Sequence, residues 1–179
     1  MKEEFERPSE FYHGSPHEFD KFDLNKVGTG DGLNKFGFGL YFSDSYQAAA
    51  FYARELSIGN LRAKGFNMYT VKLFGLDDYI GWDDNVDSNL ISEVANRLIN
   101  KGHTDNVEQM LQETEEQPWT LRNLYEWLEA ILDDKKEVTR LLNLCGVNGV
   151  ITPDAFHGGN IYVAFSDDMV KIIDVKKLK

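Results

Sequence analysis

The chain reads as an α+β protein. Two observations predict this class. Short runs rich in β-branched and aromatic residues, bounded by glycine and polar residues, gather at both ends of the chain. Between them, residues 87–144 switch to helical periodicity. Strands at both ends flanking one helical block predict a single domain, residues 1–179, in which about 87–144 form a helical insertion or subdomain.

Taken in order, Phe11-Tyr12-His13 reads as the first strand. A loop over 15–39 follows, carrying Gly28, Gly30, Gly32, Gly37 and Gly39. A loop of that length inside a compact domain is functional or disordered. Leu40-Tyr41-Phe42 reads as the next strand, after which Ser43 or Asp44 can cap a helix over about 46–57. Asn67–Leu73 alternates as a strand. Ser88 can cap a helix whose apolar face is Leu90, Ile91, Val94, Leu98 and Ile99, and Gly102 ends it. Three shorter helices are expected at about 105–116, 120–132 and 135–144, the second capped by Thr120 after Pro118. Gly149–Ile151, Ile161–Phe165 and Val170–Ile173 return to strand character.

The composition bounds the function. An apolar fraction of 42% with 13% aromatics suits a folded chain. A net charge of −11 argues against a long-range electrostatic hold on nucleic acid, which needs a positive surface. The acidity concentrates in 104–137, where ten carboxylates face Arg122, Lys135 and Lys136. A solvated helical face is the favoured reading of that run; a docking face for a basic partner, such as an antitoxin, is the functional one. No apolar run approaches the roughly 20 residues of a membrane span. Met1–Phe5 is acidic and lacks the basic and apolar stretches of a signal peptide. With one cysteine, Cys145, no internal disulfide can form, so a reducing, cytoplasmic compartment is expected. Cys145 itself ends an apolar helical stretch and reads as a structural thiol.

Singly, the chemical motifs are weak. His13 beside aromatics is usually a core histidine, and Tyr41-Phe42 is ordinary strand packing. The glycine series is a mobile loop or a phosphate cradle, but no Gly-Lys-Ser/Thr follows and the dinucleotide fingerprint is absent. Together they are specific. Tyr12-His13-Gly14-Ser15, Gly28–Gly32, Phe36-Gly37-Phe38-Gly39-Leu40-Tyr41-Phe42 and Ala49-Ala50-Phe51-Tyr52 resemble the ADP-ribosyltransferase superfamily, in its polymerase-like branch. The match is closest to the domain found in phage and mobile-element polyvalent proteins. Phe74–Asp83, Gly146–Ile151 and Tyr162–Asp167 resemble later segments of that domain. The resemblance implies a split β-sheet core and NAD⁺ as the substrate that donates ADP-ribose.

The resemblance also implies roles. Gly14 gives its backbone N–H and C=O to the nicotinamide carboxamide, and a glycine permits that close approach. Tyr41 stacks on the ring, Tyr52 supports its other side, and His13 bonds the adenine-side ribose. Tyr12 and Ser15 frame the pocket. The glycine-rich loop, through Gly30 and with Lys26 or Lys35, lies near the diphosphate. No metal is assigned. Two positions depart from the pattern. Ala49 stands where the polymerase branch has a carboxamide-binding Ser, and Ile161 stands at the position of the superfamily's catalytic Glu. Asn160, Asp154 or His157 is the expected stand-in. An Ile there implies transfer of one ADP-ribose to a macromolecular acceptor, protein favoured over nucleic acid, as in a toxin or effector. The alternative is an inactive module that binds NAD⁺ or ADP-ribose.

Overall fold

The computed structural model describes residues 8–27, 35–58 and 65–178. The class is α+β, as expected. Seven strands form one mixed sheet: β1 (Phe11–Ser15), β2 (Leu40–Ser43), β3 (Phe66–Leu73), β4 (Tyr79–Gly81), β5 (Gly149–Pro153), β6 (Asn160–Ala164) and β7 (Val170–Leu178). Their spatial order is β4-β5-β6-β2-β1-β3-β7. Neighbours are antiparallel except β4 and β5, which run parallel with Tyr79 beside Gly149. Five α-helices accompany them: α1 (Tyr46–Ile58), α2 (Ser88–Asn100), α3 (Thr104–Glu116), α4 (Leu121–Leu132) and α5 (Lys135–Leu144). The last four fill the connection between β4 and β5, where the periodicity put them.

The sheet is nearly divided in its middle. β1 meets β3 through five residue pairs and β2 meets β6 through four, but β1 and β2 share only Tyr12↔Ser43. Because side chains alternate along a strand, the registers fix two faces. Tyr12 and Gly14 share a face with Met68, Ser43 and Tyr41, and onward with Ile161, Val163, Val150 and Thr152. Over one half of this face lies α1, with Ala49 and Ala53 packed on Phe66 and Met68. Over the other half lie α2–α5, whose Val94, Leu98, Leu124, Leu128 and Leu142 bury one cluster with Val150 and Val163. Each leucine so buried contributes about 1.5–3 kcal/mol. The opposite face carries Phe11, Phe42, Tyr69, Val71 and Tyr162 and is covered by Phe22 with Phe19 and Leu24 from the first loop.

Several local expectations are corrected. Ser45, not Ser43 or Asp44, caps α1: its Oγ accepts from the Ala48 N–H at 3.3 Å, while Ser43 Oγ accepts from the Ser45 N–H at 3.1 Å. Asp87 rather than Ser88 caps α2, accepting from the Leu90 N–H at 2.8 Å; a carboxylate is the stronger acceptor at that end. Thr120 caps α4 as expected, in a reciprocal box with Asn123. β4 was not foreseen: three residues carry too little pattern, and the strand exists through its pairing with β5. β7 extends five residues past Ile173, to Leu178.

Candidate functional site

Gly14, Tyr41, Ser43 and Ile161 lie on one face of the sheet, the face that α1 covers at one end and the helical block at the other. Each is placed by a strand: Gly14 by β1, Tyr41 and Ser43 by β2, and Ile161 by β6. Gly14 must be a glycine: a Cβ there would lie 2.2 Å from Ala53 Cβ and 2.8 Å from the Ala49 carbonyl oxygen. The close seat of α1 on β1 therefore explains Gly14, and it explains the small residue at Ala49, which is buried under the same crossing. Tyr12, on the same face, packs edge-on to Tyr46 at 5.4 Å.

Tyr41 lies at the border of the helical-block cluster. Its hydroxyl donates to the Gly37 carbonyl at 2.8 Å and accepts from the Phe36 N–H at 3.0 Å. Burial holds its pKa well above the ordinary tyrosine value, despite the Phe36 bond. The side chain is thus an anchor for residues 36–37.

His13 points to the other face. Its ring sits among Phe19, Phe22, Phe42 and Tyr69, and its Nδ1 is 2.8 Å from the Tyr41 carbonyl oxygen. A carbonyl only accepts, so Nδ1 carries the proton. Burial lowers the pKa of His13, against the Tyr41 bond that raises it, so the ring is neutral. This bond ties β1 to β2 just where their ladder stops. Ser15 shares the His13 face; it is buried, and its Oγ accepts from the His17 N–H at 3.1 Å. Lys35 is exposed, with its ammonium 5.5 Å from the centre of the Phe36 ring. Gly30 lies outside the described residues.

A contact that motif reading did not assemble ties α1 to the turn between β5 and β6. Tyr52 on α1 donates its hydroxyl to Asp154 Oδ2 at 3.0 Å, and His157 Nδ1 lies 3.1 Å from that hydroxyl and 3.4 Å from the same carboxylate. Asp154 Oδ1 accepts from the backbone N–H groups of Phe156 and His157 at 3.0 and 3.1 Å. Burial raises the carboxyl pKa, but these two bonds, the Tyr52 hydroxyl and His157 outweigh it and leave Asp154 below its ordinary value. The Tyr52 phenol is pushed up to about 12 by burial and by Asp154. The turn chemistry of Asp154-Ala155-Phe156-His157-Gly158-Gly159 was the available signal: an Asp bonding its own backbone two and three residues on, then two glycines at positive φ.

Ile161 is a half-buried wall residue packed on the helical-block cluster, beside Ser43 and Thr152. Asn160, one residue before it, is engaged: Asp44 accepts its backbone N–H at 2.7 Å and its side-chain amide at 2.9 Å. Of the three expected stand-ins, Asp154 and His157 are therefore brought together with Tyr52, and Asn160 is committed to the cap of β6.

Elsewhere, burial raises the Cys145 thiol pKa, so it stays protonated at neutral pH. The acidic run is partly consumed locally: Asp134 caps α5, Glu137 pairs with Lys101 and Arg140, and Glu129 pairs with Lys135. No helix among the described residues is long and apolar enough to cross a membrane. A family model described as ADP-ribosyltransferase in polyvalent proteins matches residues 6–178. No curated protein and no solved structure matches the chain.

Proposed function

Since the chain belongs to the family of ADP-ribosyltransferases in polyvalent proteins, we propose that it splits NAD⁺ at the nicotinamide–ribose bond and passes one ADP-ribose unit to a macromolecular acceptor. A protein acceptor is favoured by the acidic surface, which repels nucleic acid. The exposed carboxylates of α3 and α4 that have no local role are the surface we assign to a basic partner, of the kind a toxin or effector meets.

The observation that carries the reading is the opening of the sheet after Tyr12↔Ser43. It leaves β1 beyond Tyr12, Gly14 included, with no further register pair in β2, and Tyr41 shares the face of Gly14. A flat carboxamide-bearing ring wants that combination: a paired N–H and C=O in plane, and an aromatic wall. Cleavage then builds positive charge on the ribose, as in glycoside hydrolysis.

Ile161 favours a second reading, a module that binds NAD⁺ without turnover, because it places no carboxylate at the family's catalytic position. Two measurements separate the two. Nicotinamide release from NAD⁺, followed by chromatography, is expected for the transferase. Thermal stabilisation by NAD⁺ with no release identifies the binding module; at a hundredfold excess over Kd it amounts to about 2.7 kcal/mol.

A further inference from the structure

Asp154, Tyr52 and His157 form a cluster that the family position at Ile161 leaves unexplained. Thr152 is the direct partner of Ile161, and the Asp154 N–H continues the hairpin by donating to the Gly159 carbonyl at 2.9 Å. Asp154 therefore alternates with Thr152 onto the face of Ile161, as its diagonal neighbour, at a separation of about 7–8 Å. The carboxylate missing from position 161 has a counterpart one strand away. It is not itself free to act: its side chain is 1% exposed, and both oxygens are filled.

His157 is differently placed. Its Nδ1 faces the Asp154 carboxylate and the Tyr52 oxygen. An ionised carboxylate keeps the proton on the nitrogen it faces, which leaves Nε2 as the basic atom. Nε2 has no hydrogen bond among the described residues, and the side chain is 22% exposed. The Phe51 ring lies 4.1 Å from the imidazole, centre to centre, and fixes its tilt. A partly exposed imidazole, oriented by a buried carboxylate and packed against an aromatic ring, has the construction of a general base.

We propose that His157 Nε2 is the base that deprotonates the incoming acceptor, with Asp154 and Tyr52 as its positioning residues. The inference rests on the transferase reading. In the step, the acceptor's O–H or N–H gives its proton to Nε2 as its lone pair bonds to ribose C1′. The C1′–N bond to nicotinamide breaks, nicotinamide leaves with that electron pair as a neutral molecule, and Nε2–H later returns its proton to water.

The test uses the full chain with NAD⁺ and water as acceptor, reading nicotinamide release with and without sodium azide. Azide is an anion and needs no base. His157→Ala is expected to lower water-dependent release about 100-fold, with unchanged NAD⁺ affinity, and azide is expected to restore most of the rate as the ribosyl azide forms. Asp154→Asn keeps the acceptor oxygen for the turn and is expected to lose a smaller factor with the same azide rescue. Release by His157→Ala at the wild-type rate, or a loss that azide does not restore, overturns the inference while leaving the transferase reading intact. A wild-type chain that binds NAD⁺ but releases no nicotinamide in either condition overturns both.

Discussion

A methyl group at Gly14 would meet the Ala53 methyl at 2.2 Å and the Ala49 carbonyl at 2.8 Å, and neither is the tip of a flexible chain. Gly14→Ala must push α1 away from β1. We expect it to destabilise the protein by about 1–3 kcal/mol, as overpacking does, measurable as a lower midpoint in urea. His13 gives a second test at this scale. Burial lowers its pKa from 6.5 in the folded chain, so below pH 6.5 the unfolded chain binds a proton that the native state refuses. Its contribution to stability is fully present above pH 6.5 and is lost as pH falls from there through its lowered value. The melting temperature is expected to drop between pH 7.5 and 5.5, and His13→Gln is expected to flatten that drop. Equal slopes for the two proteins would refute the assignment of a buried neutral imidazole.

At the scale of elements, the chain announces what is local. Amphipathic helices and alternating strands were legible because one buried stripe suffices to write them, and Thr120 was legible because a cap is chosen within four residues. Thr120→Ala should cost about 1 kcal/mol in thermal or denaturant unfolding. What involved two distant segments was not legible. Nothing near Asp154 says that its partner is Tyr52, about a hundred positions away, and nothing in Tyr79–Gly81 says that β5 will accept it. The motif residues of the candidate site were legible one by one. Their division between two faces, with His13 on one and Tyr41 on the other, followed only from the registers.

For the whole molecule, the sheet sets what the chain can make. Ile161 offers no carboxylate to hold the ribose hydroxyl of an ADP-ribose already attached. We expect single additions at each acceptor site. Mass spectrometry of the modified acceptor checks this, and ladders of repeated units at one site would refute it. Ile161→Glu places a carboxylate beside Ser43 and is expected to raise nicotinamide release; no change would mean that position 161 does not face the cleaved bond.

The parallel pair of β4 and β5 has a consequence for the order in which the chain folds. Parallel neighbours cannot be joined by a hairpin, and here the whole of α2–α5 separates them. Closing so long a loop before its contents are compact carries an entropic penalty that three strand pairs cannot offset. The α2–α5 block, whose contacts are mostly between sequence neighbours, is therefore expected to condense first and deliver β5 to β4, with the sheet completed afterwards. In pulse-labelled hydrogen exchange, the amides of α2 and α4 should become protected before those of Ile80 and Ile151.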